Sequence, residues 1–113
     1  MMRRMWIVAA ALAVSACGAQ TPQEQQAAQL REVADAQADA IEAEAGNIVA
    51  GMQAEAEKLR QQAGQGGGFE AQRLQVRAEA QEREAKLVKK QAEAKARAIR
   101  DAGKARASAL LAS

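Results

Sequence analysis

Cys17 is the only thiol in a chain of 113 residues that has no His and no Tyr. Beyond it the hydroxyl-bearing residues are Thr21, Ser108 and Ser113. A catalytic nucleophile needs a base within hydrogen-bond reach and a third group to orient that base. With imidazole absent and the hydroxyls confined to the two ends of the mature segment, no such set can be assembled. The 14 Asp and Glu residues are scattered, with no loop of alternating Asp to cage a cation. Gly64-Gln65-Gly66-Gly67-Gly68 lacks the Lys-Ser/Thr that completes a phosphate loop, and it reads as a turn. The expectation is a non-enzyme with no catalytic, metal-ligating or cofactor-binding residues. What remains is chemistry done to the protein, at Cys17.

The residues before Cys17 say what that chemistry is. Met1-Met2-Arg3-Arg4 is a positive start, and Met5 to Ala16 follows without a charge. An uncharged span of 12 residues is too short for a permanent crossing helix, which needs about 20. It reads as a signal to be removed. The run Val14-Ser15-Ala16-Cys17 resembles the lipobox of bacterial lipoprotein precursors, an aliphatic residue and two small ones before Cys. The resemblance implies that the Cys17 thiol takes a diacylglyceryl group, that the Ala16–Cys17 bond is cut, and that the new amino terminus is acylated. The other reading of the same residues is an ordinary secretory signal followed by a free thiol. A lone thiol in an exported chain has no disulfide partner, however, and lipidation removes that liability. Two or three acyl chains, at about 0.8 kcal/mol per buried methylene, anchor a small protein stably. The residues that surround the arginine pair of a twin-arginine signal are absent, so the general secretory route is expected. Gly18 stands where an Asp holds many lipoproteins in the inner membrane, and the resemblance therefore implies the outer membrane, on its periplasmic face.

The elements that carry this anchor are legible in composition. The chain contains 31 Ala and 14 Gln, and from Cys17 onward only 15 large apolar residues in 97. Such a chain cannot fill a globular core, and its Ala/Glu/Lys/Arg/Gln mixture is that of long helices. Thr21-Pro22 reads as a helix cap followed by Pro at the first helical position. The predicted organisation is a signal peptide at 1–16, a lipidated tether at 17–22, an acidic long helix at 23–63, a Gly-rich turn at 64–68 and a basic long helix at 69–113. The fold class is all-α: a signal helix and then two long helices, as a helical hairpin or a coiled-coil-like rod.

Both long segments carry an apolar line spaced 3-4-4. In the first it is Ala27, Leu30, Ala34, Ala38, Ile41, Ala45, Val49, Met52 and Ala56; in the second, Ala85, Val88, Ala92, Ala96, Ile99, Gly103, Ala107 and Leu110. The repeat is eleven residues, or about 3.67 per turn, which tracks a straight or slightly right-handed pair of helices. Lines made mostly of Ala permit close approach but bury little area, so self-association or lipid contact is expected to add stability. Gly46 and Gly51 interrupt the first segment, either as ordinary helix glycines costing about 1 kcal/mol each or as a hinge or close contact.

Charge separates the halves. Residues 23–63 carry eight acids and three bases, and residues 69–113 carry eleven bases and six acids. Folding back at Gly66 would place residue i opposite 132 − i, pairing Glu32 with Arg100, Asp35 with Arg97, Glu42 with Lys90 and Arg31 with Asp101. Along the second segment Glu79/Arg83, Glu82/Lys86 and Glu93/Arg97 have the favourable (i, i+4) order. Nucleic acid is not expected as a partner, because no aromatic is placed to stack and the bases are interleaved with acids. The precursor resembles a small helical outer-membrane lipoprotein of the murein-lipoprotein type. Members of that type end in a Lys joined to peptidoglycan; here the last Lys is Lys104, and covalent peptidoglycan attachment is not expected. The functional expectation is a lipid-anchored helical scaffold or adaptor of the bacterial envelope, self-associating or bound to an envelope protein. The alternative is a membrane-surface protein whose basic helix binds anionic lipid.

Overall fold

The computed structural model describes residues 20–113, which form two long antiparallel helices and no strand. Helix α1 spans Pro22–Gln65 and helix α2 spans Gly68–Ala112. The predicted signal segment 1–16, the predicted cleavage site and Cys17 lie outside the described residues.

Helix α1 begins where its cap chemistry dictates. The Thr21 hydroxyl accepts from the Glu24 backbone N–H at 3.1 Å, and the Thr21 N–H donates back to the Glu24 carboxylate at 3.4 Å. Two orphan donors of the first turn are thereby satisfied, and Pro22 occupies a position whose missing N–H costs nothing. The break between the helices is shorter than the five-residue glycine cluster suggests. α1 continues through Gly64 and Gln65, and its last carbonyls are closed by the Gly66 N–H, which donates to Gln62 O at 3.2 Å. Gly66 and Gly67 are extended, and the sharp change of direction falls at Gly68, whose φ of 68° strains any side-chain-bearing residue.

The two apolar lines meet along the whole hairpin. The buried residues of α1 are Ala27, Ala34, Ala38, Ala45, Ala56 and Ala63; those of α2 are Ala78, Ala85, Ala92, Ala96, Gly103 and Ala107. Leu30, Ile41, Val49, Met52, Val88, Ile99 and Leu110 flank this seam half-buried. Every residue of the two predicted lines is thus wholly or partly covered. No large side chain is fully buried among the described residues, because the helices are too close to leave room between them.

Gly103 shows how close. A Cβ added there would overlap the Ala34 Cβ and lie 3.4 Å from Leu30 O. Gly103 therefore faces Ala34, residue i lies opposite 137 − i, and Ala45 comes to lie beside Ala92, with which it shares both interhelix grooves. This register corrects the charge-based expectation of 132 − i. None of the four ion pairs expected from that register is among those formed by the described residues. Exposed ion pairs are weakened by solvent and salt, whereas a side chain forced against a neighbour at the seam is excluded by van der Waals overlap. Small residues therefore choose the register, and the charges adapt to it. Gly46 and Gly51 have nothing within 4 Å of an added Cβ, so neither is a close-contact site, and α1 runs through both as continuous helix.

Candidate functional site

The predicted site residues, Cys17 for lipidation and Ala16–Cys17 for cleavage, precede the described chain. The structure shows what they are attached to. Only Gly18 to Thr21 separates Cys17 from the capped start of α1. Any group held at Cys17 is joined by that short tether to the open end of the hairpin, where the end of α2 also returns.

The hairpin has two unlike sides. On one, Arg100 of α2 reaches across to a row of α1 carboxylates one helical turn apart. Its Nη1 donates to Glu42 Oε1 and its Nη2 to Asp39 Oδ1, both at 2.7 Å, and its Nε lies 3.8 Å from Asp35 Oδ1. The hydrogen bonds to Glu42 and then Asp39 raise the Arg100 pKa above its ordinary value. Nearer the turn, Arg60 Nη1 lies 2.6 Å from Glu82 Oε1. That hydrogen bond, against some desolvation, raises the Arg60 pKa and holds the Glu82 carboxyl below the usual carboxylate range. Between these two clusters runs a groove of about 600 Å³, bordered by Glu42, Gln53, Lys89 and Glu93 and widened where Gly46 has no side chain.

The other side carries the ion pairs of neither Arg60 nor Arg100. Its groove is bordered by Ile41, Ile48 and Val88, with Glu44 and Lys95 at the edges. Closer to the turn Leu59 and Ala80 border the same side, and Arg77 connects them to Phe69 and Val76.

Arg100 and the Arg60–Glu82 pair were not legible as partners, since each pairing depends on the register. A spacing signal did exist: Asp35, Asp39 and Glu42 recur at 4 and 3 residues, which places three acids in one row. Of the intrahelical pairs expected on α2, Glu79–Arg83 forms at 3.8 Å, while Glu82 turns to Arg60 instead of Lys86. Among the described residues no group of three or more ligand side chains can hold a metal ion, and no helix is long and apolar enough to cross a membrane. No protein-family model, curated protein or solved structure matches this chain.

Proposed function

We propose that the chain is a lipid-anchored, non-catalytic scaffold or adaptor lipoprotein of the bacterial cell envelope, held on the periplasmic face of the outer membrane. The observation that carries this reading is the placement of Val14-Ser15-Ala16-Cys17 a few residues before the capped start of a hairpin that offers surface rather than a chemical site. A helix of 44 residues is about 66 Å long. An anchor at Cys17 fixes the open end of the hairpin at the membrane and leaves the Gly66–Gly67 turn free to reach about that distance away.

The alternative is a membrane-surface protein that lays its basic helix on anionic lipid. The 3-4-4 apolar face that such a helix would insert is the one α2 turns against α1, which favours the scaffold reading.

Metabolic labelling with a palmitate analogue tests the anchor. The wild-type chain should take the label and appear as a shortened product; Cys17→Ala should remain an unlabelled, uncleaved precursor, and label retained in that variant would overturn the lipoprotein reading. Residues 18–113 without lipid should stay in the supernatant when anionic vesicles are sedimented. Their co-sedimentation would favour the alternative.

A further inference from the structure

We infer that the seam is also the docking surface for a second copy of the chain. The hairpin opens at Gly66, Gly67 and Gly68 into one continuous helix, and two such helices lie antiparallel, each α1 packed on the α2 of the other copy.

The eleven-residue repeat does not stop at the turn. Counting in elevens from Leu30 reaches Ile41, Met52 and Ala63 in α1 and then, across the break, Leu74, Ala85, Ala96 and Ala107 in α2. All of these are buried or half-buried at the seam. Between Ala63 and Leu74, steps of 4, 4 and 3 fall on Gly67 and Ala71, as small as the rest of the line. One line therefore runs at constant phase through both helices and the residues that separate them, as it would in a single helix. A hairpin does not require this. Helix–helix connections of about 2–8 residues all return the chain, so a break of another length would still let the hairpin close. In a continuous helix, each residue added to or removed from the break would turn α2 by about 100° relative to α1. The break has a length that keeps the two lines on one face.

Opening asks little of the backbone. Gln65 already belongs to α1 and Phe69 to α2, so only Gly66, Gly67 and Gly68 leave their present dihedrals. No Pro stands between Pro22 and Ala112 to stop the helix, which would be about 140 Å long. Antiparallel copies paired with residue i opposite 137 − i of the other re-form the contacts of the seam, Ala34 against Gly103 and Ala45 against Ala92 included. They also bring Arg100 of one copy to Asp39 and Glu42 of the other. The occupant is a copy and not an unrelated helix, because this register and these ion pairs belong to these two arms. Exchange moves the two N-terminal tethers to opposite ends of the rod. Concentration and the glycines separate the two forms. The turn holds its own arms together at an effective concentration on the order of millimolar, and each Gly made helical is disfavoured against Ala. The hairpin is therefore the form at high dilution, and exchange sets in as copies crowd.

Neither the exchange nor its test uses lipid, so this inference and the lipoprotein reading can fail separately. Two full-length chains carrying Cys17→Ser, one with Ala45→Cys and one of different tag length with Ala92→Cys, are mixed, warmed to open the hairpins and cooled under oxidising conditions at rising concentration. A 45–92 disulfide between chains should grow with concentration. Chains with Ala36→Cys and Ala98→Cys, both exposed and on the outward faces, should give far less. A second variant carries Gly66→Ala, Gly67→Ala and Gly68→Ala. A methyl has room at each position, but the φ of Gly68 opposes it in the turn while a continuous helix favours it. The dimer association constant, measured by analytical ultracentrifugation, should rise by about tenfold or more in this variant. Two further alanines inserted after position 67 of the same variant turn the arms about 200° apart, and the closed dimer should be lost while circular dichroism stays helical. A 45–92 product no greater than that of the outward pair, a triple-Ala chain that stays monomeric, or a closed dimer that survives the insertion would overturn the inference.

Discussion

The smallest side chains do the most selective work in this molecule. A buried Ala methyl contributes only about 0.8 kcal/mol through burial itself, yet twelve buried Ala and Gly positions define a seam that larger residues can only flank. Gly103 makes the point against Gly46. Both sit inside long helices, where Ala is preferred to Gly by about 1 kcal/mol. At Gly46 an added Cβ meets nothing within 4 Å, so Gly46→Ala should raise stability by about that amount. At Gly103 the same methyl overlaps Ala34, and Gly103→Ala should lower stability by about 1–3 kcal/mol despite its better propensity. Urea unfolding followed by circular dichroism measures both. Equal effects of the two substitutions would mean that the helices do not approach closely at Ala34.

Between elements, the contacts that are charged are also the ones that respond to pH. The Glu82 carboxyl is held below its ordinary range by the hydrogen bond from Arg60, so its contribution is present above the unfolded-state value and is lost as pH falls through the lowered folded-state value. Glu82→Gln should therefore melt at a lower temperature than wild type at neutral pH, and the difference should close in acid below the usual carboxylate range. Both partners are exposed, so the neutral-pH difference should be small and should shrink further as salt is added. A gap that persists unchanged into acid would show that Glu82 stabilises by packing and not by charge. Arg60 and Arg100 remain charged throughout such a titration, because their own shifts are upward.

At the scale of the whole molecule, the question is how two amphipathic helices of nearly equal length are joined. The break at Gly66–Gly67 and the left-handed Gly68 let α2 reverse along α1 without a long loop, and the seam then continues to the open end at Ala27 and Ala107. The register can be read chemically. In a chain carrying Cys17→Ser, cysteines at Ala45 and Ala92 should form a disulfide within one molecule at high dilution, since these residues lie side by side at the seam. A pair at Asp35 and Arg97, matched only in the 132 − i register, should do so far less readily. The opposite ranking would restore the charge-based register, and purely intermolecular products from both pairs would mean that the hairpin does not close.

Much of this architecture is a property of the sequence alone. The shortage of large apolar residues excludes a globular core, the 3-4-4 spacing specifies which face of each helix is covered, and Thr21-Pro22 and the glycines mark the cap and the reversal. These are local rules, satisfied by residues within a few turns of each other. The expectation that Cys17 is modified and not catalytic likewise rests on its neighbours and on the lack of His and Tyr in the sequence. Register was not available at that level. Charge suggested 132 − i, but surface charges interact weakly and over several ångströms, so several alignments satisfy them almost equally. Steric overlap at Gly103 and Ala34 rises steeply over a fraction of an ångström, and it exists only once the two helices are in contact. Tertiary packing therefore decided which acids surround Arg100 and which partner Glu82 takes.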